Sequence, residues 1–323
     1  MPEGHTLHRL AARFQAVVVG RPWRVTSPQG RFAGGADVLD GRTPHRAEAW
    51  GKHLFVHADD HVWHVHLGLY GAFSFGGDEA FLRGLAGAGS MGAPRAGAPS
   101  GTIRRGDDGR VIPEEPRGAV RARIVVRDGW ADLRGPATCR VLTGSEYAQV
   151  LGRLGPDALR TGDGGDPAVE FLHRLSTRRI PIAQALMDQG IIAGVGNIYR
   201  AESLFLEGID PYLPASSLDA RRVHGLWDRL GDQLRDGVAE GIIRTFRPEE
   251  ADPSTAAPGR DSPDGDAPDG DAPDGDAQAG PASERLHWVY KHQGTACLRC
   301  GEMILRRDLA SRTLYWCPGC QRG

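Results

Sequence analysis

Three short stretches of this 323-residue chain place reactive or ligand-forming residues at informative spacings. The strongest lies at the end: Cys297-x2-Cys300, sixteen further residues, then Cys317-x2-Cys320. Two thiolate pairs, each on a turn, can close a tetrahedral site around one structural Zn2+. The gap fits a β-hairpin with its tip near Asp308–Ser311. So short a segment has too little core to fold alone without metal. Arg306, Arg307 and Arg312 crowd that hairpin beside Tyr315 and Trp316. Guanidinium forks match phosphate oxygens, although a solvated basic turn has the same composition. The second stretch, MDQGIIAGVGNIYRAE, sets a glycine-rich turn, Gly190 to Gly196, between two helical runs, with Asn197 opening the next helix. Backbone N–H groups and an Asn at a helix start can hold a phosphate, and the same Asn can simply cap the helix. The third is the start, MPEGHTLHRL, where Pro2 and Glu3 also suit an ordinary first helical turn.

These stretches must be positioned by elements, and the chain changes texture twice. Leu7, Leu10, Ala11 and Phe14 recur at helical spacing, and Gly20 ends that helix. From about 22 to 140 short alternating runs dominate. In HVWHVHLGLYG, Trp63, Val65, Leu67 and Leu69 share one face, His64 and His66 the other. ARIVVRDGWADLRG reads as a hairpin around Asp128-Gly129. Residues 84–118, rich in Gly, Ala, Pro and Arg, read as a flexible insertion. Their GLAGAG lacks the strand–helix context of a dinucleotide site. Five helical runs punctuated by Gly, Pro and Asp follow between 145 and 246. The PDGDA repeats in 247–284 read as an acidic disordered linker. Residues 286–323 form a separate zinc-finger module. The expected fold is α+β: a β-sandwich domain with an N-terminal helix over 1–140, a helical domain over 145–246, the linker, then the finger.

Composition narrows the partners. The net charge of −2 hides an asymmetry: 249–276 holds ten acidic residues against one Arg, a local −9 that leaves +7 elsewhere. A basic body hints at a polyanion. Of 39 basic side chains only Lys52 and Lys291 are lysines. Cys139 stands alone and reads as a small buried apolar residue. No apolar run approaches the ~20 residues of a membrane helix, and no signal peptide is visible, so the expected compartment is the cytoplasm.

Taken together, MPEG, WGKHLF, LGPDAL, MDQGIIAGVGNIYRAE, VYKHQGTAC and SRTLYWCPGCQ make the chain resemble the formamidopyrimidine-DNA glycosylase/endonuclease VIII family. The resemblance spans nearly the whole chain outside 84–118 and 247–284. It implies a β-sandwich, a helix–two-turns–helix domain and a zinc finger, with damaged DNA as partner and a monomeric enzyme. It also gives the start a role. Once Met1 is removed, Pro2 is a free secondary amine able to attack C1′ of a damaged nucleotide. Glu3 would move protons at the sugar. By the same match Lys52, Asn197 and Arg312 contact backbone phosphates, positioning contacts without base information. Taken alone, Lys52 is equally a solvated surface Lys. Tyr290 and Lys291 lead into the finger and are expected near the extruded base. Leu69 and Tyr70, in HLGLYG, match the loop that fills the void after base flipping, or else are a core Leu and a strand Tyr.

Two departures refine the reading. Thr6 stands where many members carry a second Glu, so a proton relay through that carboxylate is missing or relocated. DLRGPATC lacks the Phe of the formamidopyrimidine branch's wedge, which favours the endonuclease VIII branch and its oxidised pyrimidines. The start and the Arg, Gly and Ala excess resemble actinobacterial members of that branch. The expected activity is a bifunctional glycosylase/AP lyase of base excision repair that cuts by β,δ-elimination. The alternatives are an oxidised-guanine glycosylase of the formamidopyrimidine branch and a non-catalytic zinc-finger DNA binder.

Overall fold

Alternating hydrophobicity builds the first half of the molecule. The computed structural model describes residues 2–85, 90–92, 103–160, 165–250 and 285–322. By internal packing it divides into two units, Met1–Pro167 with Gln189–Gly194 and Gly237–Gly241, and Ala168–Asp188 with Val195–Asp236 and Ile242–Gly323.

In the first unit α1 (Gly4–Val17) precedes β1 (Arg24–Thr26), α2 (Ala33–Leu39), β2 (Arg46–Trp50), β3 (His53–Ala58), β4 (His61–His66), β5 (Ala72–Gly77) and α3 (Glu79–Gly84). Then come β6 (Ser90–Gly92), β7 (Arg104–Arg105), β8 (Val111–Ile112), β9 (Val120–Val125), β10 (Gly129–Arg134), β11 (Thr138–Thr143) and α4 (Gly144–Leu151). One sheet has the order β1-β9-β10-β5-β6 and the other β11-β4-β3-β2, with all described pairings antiparallel. A single core joins them. Leu54, Val56, Trp63 and Val65 from one sheet meet Phe73, Phe75, Ile124 and Leu133 from the other, together with Leu7, Leu10 and Phe14 of α1.

The alternation of β4 behaves as expected at Trp63, Val65 and Leu67, which enter the core. It fails at Leu69, which is exposed just past the strand. The opposite face is covered over part of its area. His64 is buried, and Phe55, Val62 and Leu142 pack there under Trp50, Tyr147, Val150 and Leu151. Thr143 and Glu146 close a capping box that starts α4 over this face. This first helix after the strands therefore packs within the sheet unit. The described parts of 84–118 are built structure. Strand β6 extends a sheet, Val111 is buried, and Arg105 reaches Asp78 at 2.5 Å. Residues 86–89 and 93–102 lie outside the described residues, as do Met1 and 251–284 of the acidic stretch.

The second unit contains α5 (Pro167–Ser176, its first residue counted with the other unit), α6 (Ile182–Ala185), α7 (Asn197–Leu206), most of α8 (Ala220–Glu240) and the hairpin β12 (Leu305–Leu309) and β13 (Arg312–Trp316). The hairpin turns at Ala310 and Ser311, with φ of 49° and 61°, the left-handed pair that matches strand twist. The finger is not a separate module. Ala201 and Phe205 of α7 share one apolar core with Phe246, Trp288, Cys297, Ile304, Tyr315 and Cys317. Its few apolar residues are completed by the helix beneath. No helix among the described residues is long and apolar enough to cross a membrane.

Candidate active site

The amino-terminal stretch is held by three glycines. Gly4 N donates to Gly194 O at 2.8 Å. A Cβ on Gly4 would stand 2.8 Å from Gly194 Cα, and one on Gly51 would stand 2.9 Å from Gly194 N. Gly51 also has φ of +56°, the left-handed region. Three segments far apart in sequence thus touch backbone to backbone where a Cβ on Gly4 or Gly51 would wedge them apart, while Gly194 adopts a φ of +95° that favours glycine. Pro2 and Glu3 precede one of these glycines, and Lys52 follows another. Both Pro2 and Glu3 are buried.

Asp157, from LGPDAL, locks this contact. Its Oδ2 accepts from Gly51 N at 2.6 Å and lies 2.6 Å from His8 Nε2 on α1. Its Oδ1 accepts from Leu159 N at 2.9 Å. One buried carboxylate therefore ties α1, the β2–β3 turn and its own loop. Thr6 Oγ1 lies 3.1 Å from His5 Nε2. Burial, then the amino terminus, Arg9 and His8, pulls the His5 imidazole down to about 4, so it is neutral at pH 7.

Leu69 and Tyr70 project from the turn after β4, and Tyr70 is 75% exposed. Their turn is braced. A Cβ on Gly68, with φ of +68°, would stand 2.8 Å from Ala137 Cβ, and one on Gly92, at +115°, would stand 2.4 Å from Gly71 O. Two exposed side chains on a turn differ from the core Leu and strand Tyr that the strand pattern alone allows.

In the second unit Asn197 is the first residue of α7, not its cap. Its Nδ2 donates to Thr313 O at 2.9 Å, and its Oδ1 accepts from Arg200. Arg200 Nη2 donates to the same carbonyl at 2.8 Å. Two side chains one helical turn apart therefore hold β13 next to Arg312, which is exposed with Arg306 and Arg307. The fully buried Glu202 gathers the segment entering the finger. It accepts from Trp288 N at 2.7 Å, Val289 N at 2.9 Å, Tyr290 N at 2.8 Å and Thr245 Oγ1 at 2.5 Å. Tyr290 meets Tyr315 edge-on with 5.2 Å between centroids, and Lys291 has φ of +61°.

The four cysteine sulfurs lie within 4.8 Å of one another, with Cys297–Cys320 at 3.8 Å and Cys300–Cys317 at 3.4 Å. A tetrahedron of thiolates at a metal–sulfur distance of about 2.3 Å has edges of about 3.8 Å. The donor set therefore fits one metal ion. Asp157, Arg200 and Glu202 escaped the sequence reading. The weak signal was a charged residue on an otherwise buried motif, as in GPD and RAE.

Comparison with known proteins agrees with this architecture. The model of the formamidopyrimidine-DNA glycosylase N-terminal domain matches residues 1–104, and that of the formamidopyrimidine-DNA glycosylase H2TH domain matches 154–247. Endonuclease 8 1 of Mycobacterium tuberculosis is 38% identical over 322 residues, covering 99% of this chain and 100% of the relative. The formamidopyrimidine-DNA glycosylase of Alkalilimnicola ehrlichii is 32% identical over 229 residues, 66% of this chain and 72% of that one. Among solved structures, a Lactococcus lactis FPG mutant with Fapy-dG-containing DNA aligns over 100% of both chains at a TM-score of 0.66 and 19% identity. The chain belongs to the formamidopyrimidine-DNA glycosylase/endonuclease VIII family of DNA glycosylases. Within that family it is an endonuclease VIII homologue.

Proposed function

We propose that the protein is a bifunctional DNA glycosylase/AP lyase acting on oxidised pyrimidines, with Pro2 as nucleophile. The observation that carries the reading is the Gly4–Gly194–Gly51 contact, which draws the Pro2–Glu3 terminus and the Lys52 turn to one point. After removal of Met1 the Pro2 nitrogen is a secondary amine, with an ordinary α-amino pKa near 8 that leaves a neutral fraction at pH 7. It attacks C1′, the bond from C1′ to the base breaks, and an iminium forms as the sugar ring opens. Glu3 moves the ring-oxygen proton. Loss of the acidified C2′ proton expels the 3′ phosphate, and a second elimination expels the 5′ phosphate.

The remaining residues position DNA. Lys52 and Arg312 hold backbone phosphates, and Asn197 does so through its second amide hydrogen. Leu69 and Tyr70 fill the gap left by the flipped nucleotide, which their exposure supports. Cys297, Cys300, Cys317 and Cys320 hold one structural Zn2+ that fixes the finger. The protein works as a cytoplasmic monomer. The preference for pyrimidines draws on the likeness to Endonuclease 8 1 and on the DLRGPATC stretch without Phe.

Borohydride trapping tests the reading. Untagged protein with a confirmed Pro2 terminus is mixed with an abasic duplex and with a 5-hydroxyuracil duplex, and adducts are mapped by peptide mass spectrometry. Adducts on Pro2 with both are expected. An adduct with the abasic duplex alone would leave a lyase weakened in base excision by Thr6. No adduct with either would leave a DNA-binding protein only.

A further inference from the structure

The chemistry above leaves unused a histidine cluster beside Lys52. His53 on β3 faces His66 on β4, and Phe55 faces His64. His64 is paired in turn with Arg140 on β11. His53 Nδ1 lies 2.8 Å from His64 Nε2. Arg140 Nε donates to His64 Nδ1 at 3.4 Å. A guanidinium N–H can only donate, so His64 Nδ1 must offer its lone pair and carry its proton on Nε2. That proton points at His53 Nδ1, which must also accept. The proton of His53 therefore sits on Nε2. An exposed Arg fixes the tautomer of a ring two residues away along a hydrogen-bonded chain.

The rings are held as firmly as their protons. His53 stacks on Phe55 at 6.1 Å and 14°, Phe55 on His64 at 4.9 Å and 18°, and His66 lies 4.9 Å from His53. Tyr147 of α4 closes on Phe55 from the far side, and Glu146 of the same helix lies near Arg140. Burial, then His64, His66, Lys52 and Arg140, pulls His53 down to about 3. Burial, then Arg140 and His66, pulls His64 down to about 4. Both rings are neutral throughout the working range. Among the described residues His53 makes its ring hydrogen bond through Nδ1, which leaves Nε2–H to donate elsewhere.

We propose that His53 is a second phosphate-positioning residue beside Lys52, its Nε2–H held by the Arg140–His64 relay as a neutral donor to a DNA backbone oxygen. The inference rests on the reading that Lys52 meets a backbone phosphate. A second cation there would be repelled by Lys52. A neutral, oriented donor adds direction without that repulsion, and Lys52 supplies the charge.

Binding of the full-length protein to a duplex containing a tetrahydrofuran abasic analogue, followed by fluorescence anisotropy across salt and from pH 6 to 8, separates the two contributions. His53→Ala is expected to weaken binding roughly ten-fold with an unchanged salt slope, because a neutral donor releases no counterion. Lys52→Gln is expected to lower the slope by about one. His53→Gln, which keeps an N–H donor, should recover most of the affinity. Arg140→Gln, a surface change that frees the tautomer, should cost about three-fold. Long-range nitrogen–proton NMR correlations of the free protein should show His53 protonated at Nε2 and bare at Nδ1. Wild-type affinity in His53→Ala, or a lowered slope with pH dependence between 6 and 8, would overturn the proposal while leaving the glycosylase reading intact. A wild-type protein without salt-dependent duplex binding would overturn both.

Discussion

The two units assemble their functional segments by opposite means. In the first, Gly4, Gly51 and Gly194 bring three backbones into contact by omitting side chains. In the second, Glu202 brings Thr245 and residues 288–290 onto α7 by supplying a side chain, a buried carboxylate that collects four donors. Glycine apposition is steric and intolerant of even one methyl group. Carboxylate convergence is electrostatic and intolerant of losing its acceptor, since each buried N–H left unpaired costs about 1–3 kcal/mol. The comparison teaches that placement of the amino-terminal stretch depends on shape, whereas placement of the segment entering the finger, residues 288–290, depends on hydrogen bonding.

The largest effect should come from Glu202→Ala, which strands three backbone N–H groups. It should destabilise the second unit by about 3–5 kcal/mol and alter Trp288 fluorescence, read by urea titration. The first unit should still unfold at its wild-type midpoint; a shift there would erase the contrast. Gly51→Ala comes next. Its methyl would meet Ala193 Cβ at 2.8 Å in a left-handed backbone, at a cost of about 2–4 kcal/mol. It should abolish borohydride trapping while four thiolates still bind one equivalent of Zn2+. Retained trapping would show that the glycine contact does not position Pro2.

A pH titration sharpens the same contrast. His64 titrates at about 4 in the fold against an ordinary 6.5, so the unfolded chain takes the proton first. Its contribution is full above about 6.5 and is lost as pH falls towards 4. His64→Gln should therefore flatten the acid loss of stability in the first unit over that window, by on the order of 2 kcal/mol. A second loss belongs to Glu48. Burial raises its pKa, but hydrogen bonds from His57, Arg160 and Tyr147 overcome this and bring it down to about 2. That contribution is present above 4.5 and disappears as pH falls towards 2. The smallest change in stability should follow Tyr70→Ala, within about 0.5 kcal/mol for so exposed a side chain. Its effect should appear instead in excision from duplex DNA; equal loss on single strands would argue against void filling.

Much of this was legible in the sequence because the relevant signals are local. The hairpin tip follows from the cysteine spacing, α1 from its 3.6-residue period, and the core face of β4 from Trp63, Val65 and Leu67. The MPEG, WGKHLF and GVGN motifs each carry a glycine, but a glycine in sequence does not say what it touches. The finger read as a separate module because its apolar residues are few, and the partners that complete its core lie on α7, about a hundred residues earlier.

The sequence by itself therefore determined α1, the strand-rich and helix-rich halves, the four-thiolate set and the family, all fixed by periodicity, spacing and motif. Tertiary structure decided which glycines meet, that Asn197 spends one amide hydrogen on Thr313 instead of capping its helix, and which ring nitrogens of His53 and His64 face each other and Arg140. The reason is physical. Steric exclusion, buried hydrogen bonding and tautomer choice depend on distances of a few ångströms between residues whose separation along the chain does not encode them.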